Sequence, residues 1–243
     1  MTSVAASRLT GERKFYLGMA LAMIALVLIG FGPSFYFKGV WSWPRPNPTL
    51  PPLVMLHGIV FSLWMRVFAA QAGLVAANRR DLHMRLGQAG FLFAAILIPL
   101  MYIIAIGQVE RANQPPIFSP LSWTAVPLFP IPAFIVLLWL GWRYRRDAQA
   151  HKRLMLGAAL LMMDPAIGRM PLAPPTLAGF AFANFLSWSL FVPLIVRDFR
   201  TRGGLHWATV TGAGLFAAAL LLRVLVLAYP GLWEPVAGHL PGI

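Results

Sequence analysis

Cysteine is absent from this 243-residue chain, and acidic residues are scarce. Without a thiol the chain forms no disulfide, has no thiolate nucleophile and holds no cysteine-ligated iron–sulfur cluster. Seven residues are Asp or Glu against 20 Lys and Arg, and all charged residues together make up 11%. Hydrophobic residues make up 59%, and the mean hydropathy is +0.71. This balance lies far from that of a soluble domain and indicates an integral membrane protein.

The apolar residues fall into seven runs, each close to the length that a helix needs to cross a bilayer. We number these predicted spans one to seven: Phe15–Phe37, Pro51–Leu74, Leu86–Ile106, Trp123–Trp142, Leu154–Met170, Thr176–Ile195 and Trp207–Tyr229. The segments between the spans are too short to form a folded domain. The sequence therefore predicts an all-α fold in which residues 1–243 form one transmembrane helical bundle.

The formal net charge of +13 is distributed as short basic clusters between the spans, which indicates topology and not a nucleic-acid surface. One side carries Arg8, Arg13, Lys14, Arg79, Arg80, Arg85, Arg143, Arg145, Arg146, Lys152, Arg153, Arg197, Arg200 and Arg202. The opposite loops contain Lys38, Arg45 and Arg111. The positive-inside rule then predicts a cytoplasmic N-terminus, and seven spans place the C-terminus outside. The first span is expected to remain uncleaved, since no small-residue cleavage site follows it.

A short pattern recurs at the start of two spans. Asp81–Gly87 reads DLHMRLG and opens span three, and Gln149–Met155 reads QAHKRLM and opens span five. The recurrence favours a repeated helical hairpin that covers spans two to three and four to five. The alternative is that His, Lys and Arg are simply common at membrane boundaries.

The segments HGIVFSLW, DLHMRLG, AHKRLM and PAIGRM together resemble a group of uncharacterised bacterial multi-span membrane proteins. These proteins share an H-x-R-L-G and an H-K-R-L-M element. The second element is more distantly similar to small membrane proteins associated with the assembly of haem–copper oxidases. The resemblance covers roughly residues 35–170 and implies a multi-pass bundle in the bacterial inner membrane. Arg66 and Asp164 depart from the otherwise uncharged pattern.

Span two carries its polar groups on one face. His57, Trp64 and Gln71 follow at intervals of seven residues, so a helix places them in one line. A neutral imidazole at this depth is a typical axial ligand of haem iron or of the magnesium of a chlorin, and Gly58 leaves room for a flat macrocycle. The alternative is that His57 hydrogen-bonds to a neighbouring helix. In either case we expect His57 to face an internal site shared with spans three and five.

The recurring pattern supplies a second pair of candidate ligands. His83 and His151 lie at the same predicted depth, and two helices that offer one histidine each can hold haem b. Arg85, Lys152 and Arg153 are expected to meet its propionates. The alternative is that both histidines are interfacial anchors near lipid phosphates. Further along span five, Met155, Met162 and Arg169 share the face of His151, which adds Arg169 to the candidate site.

Four charged residues lie within predicted spans: Arg66, Arg169, Arg223 and Asp164. An unpaired charge is costly in a membrane, so Asp164 is expected to pair with an arginine. Arg66 is our first choice because both residues lie near the middle of their spans. Arg169 lies near the outer end, and Arg223 is expected to reach outward to the membrane surface.

Several classes of function are excluded by missing motifs. The chain contains no H-E-x-x-H, no G-x-S-x-G, no Walker loop and no lysine within a span. Enzymatic activity stays open, but hydrolysis and phosphoryl transfer are not indicated. The sequence favours a membrane protein that binds haem b, for electron transfer or for respiratory-complex assembly, with chlorin as the other pigment. The alternatives are an accessory subunit of a larger respiratory or pigment–protein complex, or a bundle that binds lipids or small molecules.

Overall fold

The computed structural model describes residues 2–41 and 47–243, so Arg45 lies outside the described residues. Within this part every regular element is helical, which confirms the all-α prediction. The long helices are α1 (Thr2–Phe31), α2 (Pro52–Ala76) and α3 (Arg80–Ile106). Next come α4 (Gln108–Arg111), α5 (Pro120–Trp123), α6 (Ala125–Leu128), α7 (Pro130–Arg143), α8 (Ala148–Leu161) and α9 (Asp164–Ile167). The last are α10 (Leu177–Ser189), α11 (Val192–Arg202), α12 (Trp207–Ala228) and α13 (Glu234–Ala237).

Six helical stretches of the described chain are long and apolar enough to cross a bilayer. They are Gly11–Tyr36, Pro52–Ala76, Arg80–Ile106, Pro120–Arg143, Leu177–Arg202 and Trp207–Ala228. The first includes one turn of π-helix, Gly32–Tyr36, directly after α1. These stretches match predicted spans one to four, six and seven, which supports a multi-pass membrane protein.

Predicted span five is not among these six stretches. It forms α8 and α9, which are separated by a turn at Met162 and Met163. The physical cause is Pro165, which has no N–H to donate to the Leu161 carbonyl and so interrupts the helical hydrogen bonds there. Continuous helix therefore ends at Leu161 and resumes at Asp164.

The interrupted element nevertheless lies at the centre of the bundle. Leu154, Leu156 and Leu160 of α8 are fully buried. A Cβ on Gly157 would lie 3.5 Å from the Cα of Gly212, so α8 and α12 approach each other at a pair of glycines. The small residues of α8 thus allow close packing on several sides, whereas α2 and α3 keep one face exposed.

The α8–α9 segment also contacts α1 near both ends of the apolar part of α1. Lys152 of α8 forms an ion pair with Glu12, and a Cβ on Gly30 would collide with the backbone of Ala166 in α9. Glu12 and Gly30 are 18 residues apart on α1, which is about 27 Å of helix. Lys152 and Ala166 therefore lie at opposite ends of the bundle.

Two buried ion pairs connect the central elements, and one of them corrects the expected partner of Asp164. Arg223 Nη1 donates to Asp164 Oδ2 at 2.6 Å and to the Val126 carbonyl at 3.1 Å. Arg223 is fully buried, so it does not reach outward, and Arg66 is exposed. The sequence places both arginines by depth, but the rotation of each helix decides which one faces the core. The second pair joins Arg153 of α8 to Asp198 of α11.

Candidate cofactor site

Two helical hairpins bring one histidine each to the same end of the bundle. The α2–α3 hairpin supplies His83 and the α7–α8 hairpin supplies His151, each in the first turns of its second helix. The imidazole centroids lie 6.2 Å apart, and the ring planes are nearly perpendicular. We call this end of the bundle the basic end, because it carries the basic clusters of the α2–α3, α7–α8 and α11–α12 turns.

Both imidazoles are oriented by a backbone carbonyl of the preceding helix. His83 Nδ1 lies 3.4 Å from the Gln71 carbonyl, and His151 Nδ1 lies 2.9 Å from the Gly141 carbonyl. Since a carbonyl only accepts, the nitrogen facing it carries the proton. Each Nε2 then keeps its lone pair, which is the arrangement that a metal-ligating histidine requires.

Local sequence signals fix the starts of the two helices. Asp147 caps α8, where its carboxylate accepts from the N–H groups of Gln149 and Ala150 at 2.9 and 3.1 Å. Asn78 adopts a left-handed conformation with φ of 61°, which allows a tight turn between α2 and α3. The cap and the turn set the position of each histidine against the helix before it.

Small and aromatic residues surround the pair. A Cβ on Gly87, one turn beyond His83, would meet only the Gln71 side-chain nitrogen, at 3.4 Å. The Phe91 ring lies 6.3 Å from His151 and 5.0 Å from Trp142. Gln71 Oε1 is buried and has no hydrogen-bond partner among the described residues. The surroundings therefore offer a glycine in place of a side chain on α3, an unused acceptor and aromatic walls.

A shallow groove of about 440 Å³ adjoins this cluster between α3 and α7. Phe91, Trp139 and Trp142 form much of its wall, and Gln88 lies at its edge. Because the groove opens sideways and is almost wholly apolar, it faces the lipid when the bundle stands in a membrane.

Two of the three cations expected to meet haem propionates pair with carboxylates of the chain itself. Lys152 is paired with Glu12. Arg153 donates to Asp198 from Nε at 2.9 Å and from Nη2 at 2.5 Å, and it is buried. Arg85 remains exposed at this end of the bundle. Lys152 and Arg153 therefore form ion pairs within the bundle. The sequence alone does not show these pairs, because Glu12 and Asp198 are far from them in the chain.

His206 also lies at the basic end, where its backbone N–H donates to Asp198. Its Nδ1 accepts from the Ala208 N–H at 3.1 Å and caps α12. Burial lowers the pKa of the His206 imidazole, and the nearby Arg153 lowers the pKa further. Both effects favour the neutral form that can accept this hydrogen bond.

His57 does not lie beside the His83–His151 pair. His57 lies near the opposite end of α2, 14 residues before Gln71 and thus about 21 Å from it along the helix. Its ring packs on Phe61 at 4.9 Å. A Cβ on Gly58 would collide with the Phe35 ring, so the space expected for a macrocycle at Gly58 is filled. His57 Nδ1 is buried and has no hydrogen-bond partner among the described residues.

Trp64 and Arg169 are likewise separate from the histidine pair. Trp64 is 3% exposed and packs between Phe61, Phe68 and Phe134, with ring centroids 5.6 to 6.2 Å away. Arg169 follows α9, lies over the Phe31 ring at 4.3 Å and donates to the Pro165 carbonyl at 2.7 Å. The predicted line of His57, Trp64 and Gln71 is therefore a packed aromatic face that reaches the His83–His151 pair only at Gln71.

Sequence reasoning missed three residues of the site: Gly87, Phe91 and Gly141. The sequence pattern could have indicated Gly87 and Phe91, since they lie four and eight residues after His83 on the same helical face. Gly141 acts through its carbonyl oxygen, for which a side-chain pattern contains no signal.

No protein-family model, curated protein or solved structure matches this chain. Its function is therefore argued from the geometry of its own residues.

Proposed function

We propose that this chain binds haem b between His83 and His151, for electron transfer or for handling the cofactor in respiratory-complex assembly. The observation that carries the proposal is the pair itself. Two imidazoles on facing hairpins lie 6.2 Å apart, and a carbonyl holds each Nδ1. Two imidazoles that ligate one metal at about 2.0–2.1 Å have ring centres roughly 5 to 6.5 Å apart.

Two histidines are fewer protein ligands than a bare metal ion takes in most sites. Structural and catalytic zinc sites use three or four protein ligands. No group of three or more His, Cys, Asp or Glu side chains suited to a metal occurs among the described residues. A tetrapyrrole brings four nitrogen ligands with it, so two axial imidazoles complete its iron site.

Each surrounding residue has a defined role in this proposal. The Gln71 and Gly141 carbonyls orient the imidazoles, and Gly87 leaves space beside His83. Phe91 and Trp142 would shield the site from water, and the exposed Arg85 would be a cation for a propionate. Bound haem would supply one-electron transfer, with a potential set by the ligands and by burial.

The topology that we propose is seven crossings in the bacterial inner membrane, with the N-terminus inside and the C-terminus outside. The seventh crossing is α8–α9, which contacts α1 at Glu12 and at Gly30. These two residues are about 27 Å apart along α1, close to the hydrocarbon thickness of roughly 30 Å. The basic end then faces the cytoplasm. A histidine early in the second helix lies near a carbonyl of the first helix in both the α2–α3 and α7–α8 hairpins, which is the likeness behind the proposed hairpin repeat.

An absorption spectrum of the purified protein, with haem supplied, tests the proposed site. We expect a Soret band that shifts on reduction, and we expect His83→Ala and His151→Ala to lose it, because each removes one axial ligand. His57→Ala is the matched control and should keep the band, since His57 lies at the other end of α2.

Three outcomes contradict the proposal. They are the absence of a Soret band in the wild type, a far-red chlorin band instead, or a band that depends on His57 and survives in both other variants. Circular dichroism of each variant distinguishes loss of ligation from loss of fold.

A further inference from the structure

Arg66 lies in the middle of α2 on the face that points away from the bundle. It is exposed, whereas its neighbours Trp64 and Met65 are buried. Arg66 is 14 residues from Pro52 and 10 residues from Ala76, or about 21 and 15 Å along the helix. Helical side chains lean toward the N-terminus of their helix, which here is the more distant end. The guanidinium therefore cannot reach either headgroup region by extending along α2.

The chain has no carboxylate left for this guanidinium. Asp164 is paired with Arg223 in the apolar part of the bundle, and Asp198 is paired with Arg153 at the basic end. The other five acids lie toward the ends of the bundle: Glu12 with Lys152, Asp81 with Arg79, Asp147 at the α8 cap, Glu110 in α4 and Glu234 beside Ser122. These are all seven acids of the sequence. A second copy of the chain brings the same set and so offers no exposed carboxylate at this depth.

Around Arg66 the outward face of α2 is apolar and continuous. Leu56, Ile59 and Leu63 are 50%, 48% and 44% exposed, and they precede Arg66 at helical spacing on one side of the helix. Such a ridge can pack against another helix. An arginine within it is costly against acyl chains and stabilising against a buried acid.

We propose that this face of α2 binds a transmembrane helix of a different protein, and that this helix carries an aspartate or glutamate near the middle of the membrane. Arg66 is the charged partner, and the ridge of Leu56, Ile59 and Leu63 provides the packing surface. The charge of Arg66 selects a carboxylate over other polar groups, and its depth selects a residue near the bilayer centre.

The test uses leucine-based transmembrane peptides that carry one central Glu, Gln or Leu. Full-length protein and labelled peptide are reconstituted together in phosphatidylcholine vesicles, and association is measured by energy transfer. We expect the Glu peptide to bind roughly 3- to 30-fold more tightly than the Leu peptide, the range of interhelical polar contacts. Arg66→Leu should abolish that preference and still insert, because the substitution makes α2 more apolar.

A relocated arginine is the matched control. The double variant Arg66→Leu with Ile96→Arg moves the charge to an exposed mid-helix position on α3. It should not restore the preference, since the α2 ridge is then without its arginine. The proposal fails if this variant binds the Glu peptide as the wild type does, or if the wild type shows no preference. It fails equally if anionic phosphatidylglycerol in the vesicles removes the preference, or if the wild type self-associates through α2.

Discussion

At the residue scale, the Asp198 carboxylate of α11 connects its helix to α8 and to the start of α12. Its Oδ1 accepts hydrogen bonds from Nε and Nη2 of Arg153 in α8. Its Oδ2 accepts from the His206 backbone N–H at 3.1 Å and from the Thr209 hydroxyl at 2.6 Å. The residue is fully buried, so these bonds replace water on the carboxylate. The group therefore holds α8, α11 and α12 together at the basic end.

Asp198→Asn should destabilise the protein by about 3–5 kcal/mol, because it leaves the buried Arg153 without a counter-charge. The measurement is the free energy of unfolding in detergent, followed by circular dichroism. Asp81→Asn is the control, since the Arg79–Asp81 pair is exposed and should contribute little. Equal stability of the two variants would show that the Arg153–Asp198 pair does not hold the helices together.

At the element scale, the contact of α1 with α9 depends on the absence of a side chain. Gly30 is buried against the Ala166 backbone, and no conformation of an alanine there avoids a collision unless the helices move apart. Gly18 lies on the same helix in open space. The two glycines therefore have different roles, although the sequence around them is similarly apolar.

Gly30→Ala should cost about 1–3 kcal/mol, the range of an overpacked contact. Gly18→Ala should be neutral or slightly stabilising, because alanine favours helix and meets nothing at that position. Thermal unfolding of the two variants in the same detergent makes the comparison. If both variants unfold at the wild-type temperature, α9 does not pack on α1 as described.

At the scale of the whole molecule, the side on which the C-terminus lies depends on whether α8–α9 crosses the membrane. Reporter fusions after Asp147, Leu172 and Gly203 and at the C-terminus should read cytoplasmic, outside, cytoplasmic and outside in that order. The physical reason is the basic charge of the turns at Asp147 and Gly203, which the positive-inside rule retains in the cytoplasm. If the fusions at Asp147 and Leu172 report the same side, α8–α9 enters the membrane without crossing it, and six crossings remain.

The sequence by itself determined where the helices lie. The length and apolarity of a span are local properties, and six predicted spans coincide with the helical stretches observed. It also placed His83 and His151 at one depth through a recurring pattern. The break at Pro165 was equally local, although the prediction passed over it.

Tertiary structure alone decided which way each helix faces and which neighbours it meets. Depth follows from position along a span, but rotation about the helix axis follows from packing against other helices. For this reason Asp164 pairs with Arg223 and not with Arg66, and the space beside Gly58 is filled by Phe35. The same rotation turns Arg66 outward and brings the Gly141 carbonyl to His151. These contacts join residues far apart in the chain, so a pattern within one span does not contain them.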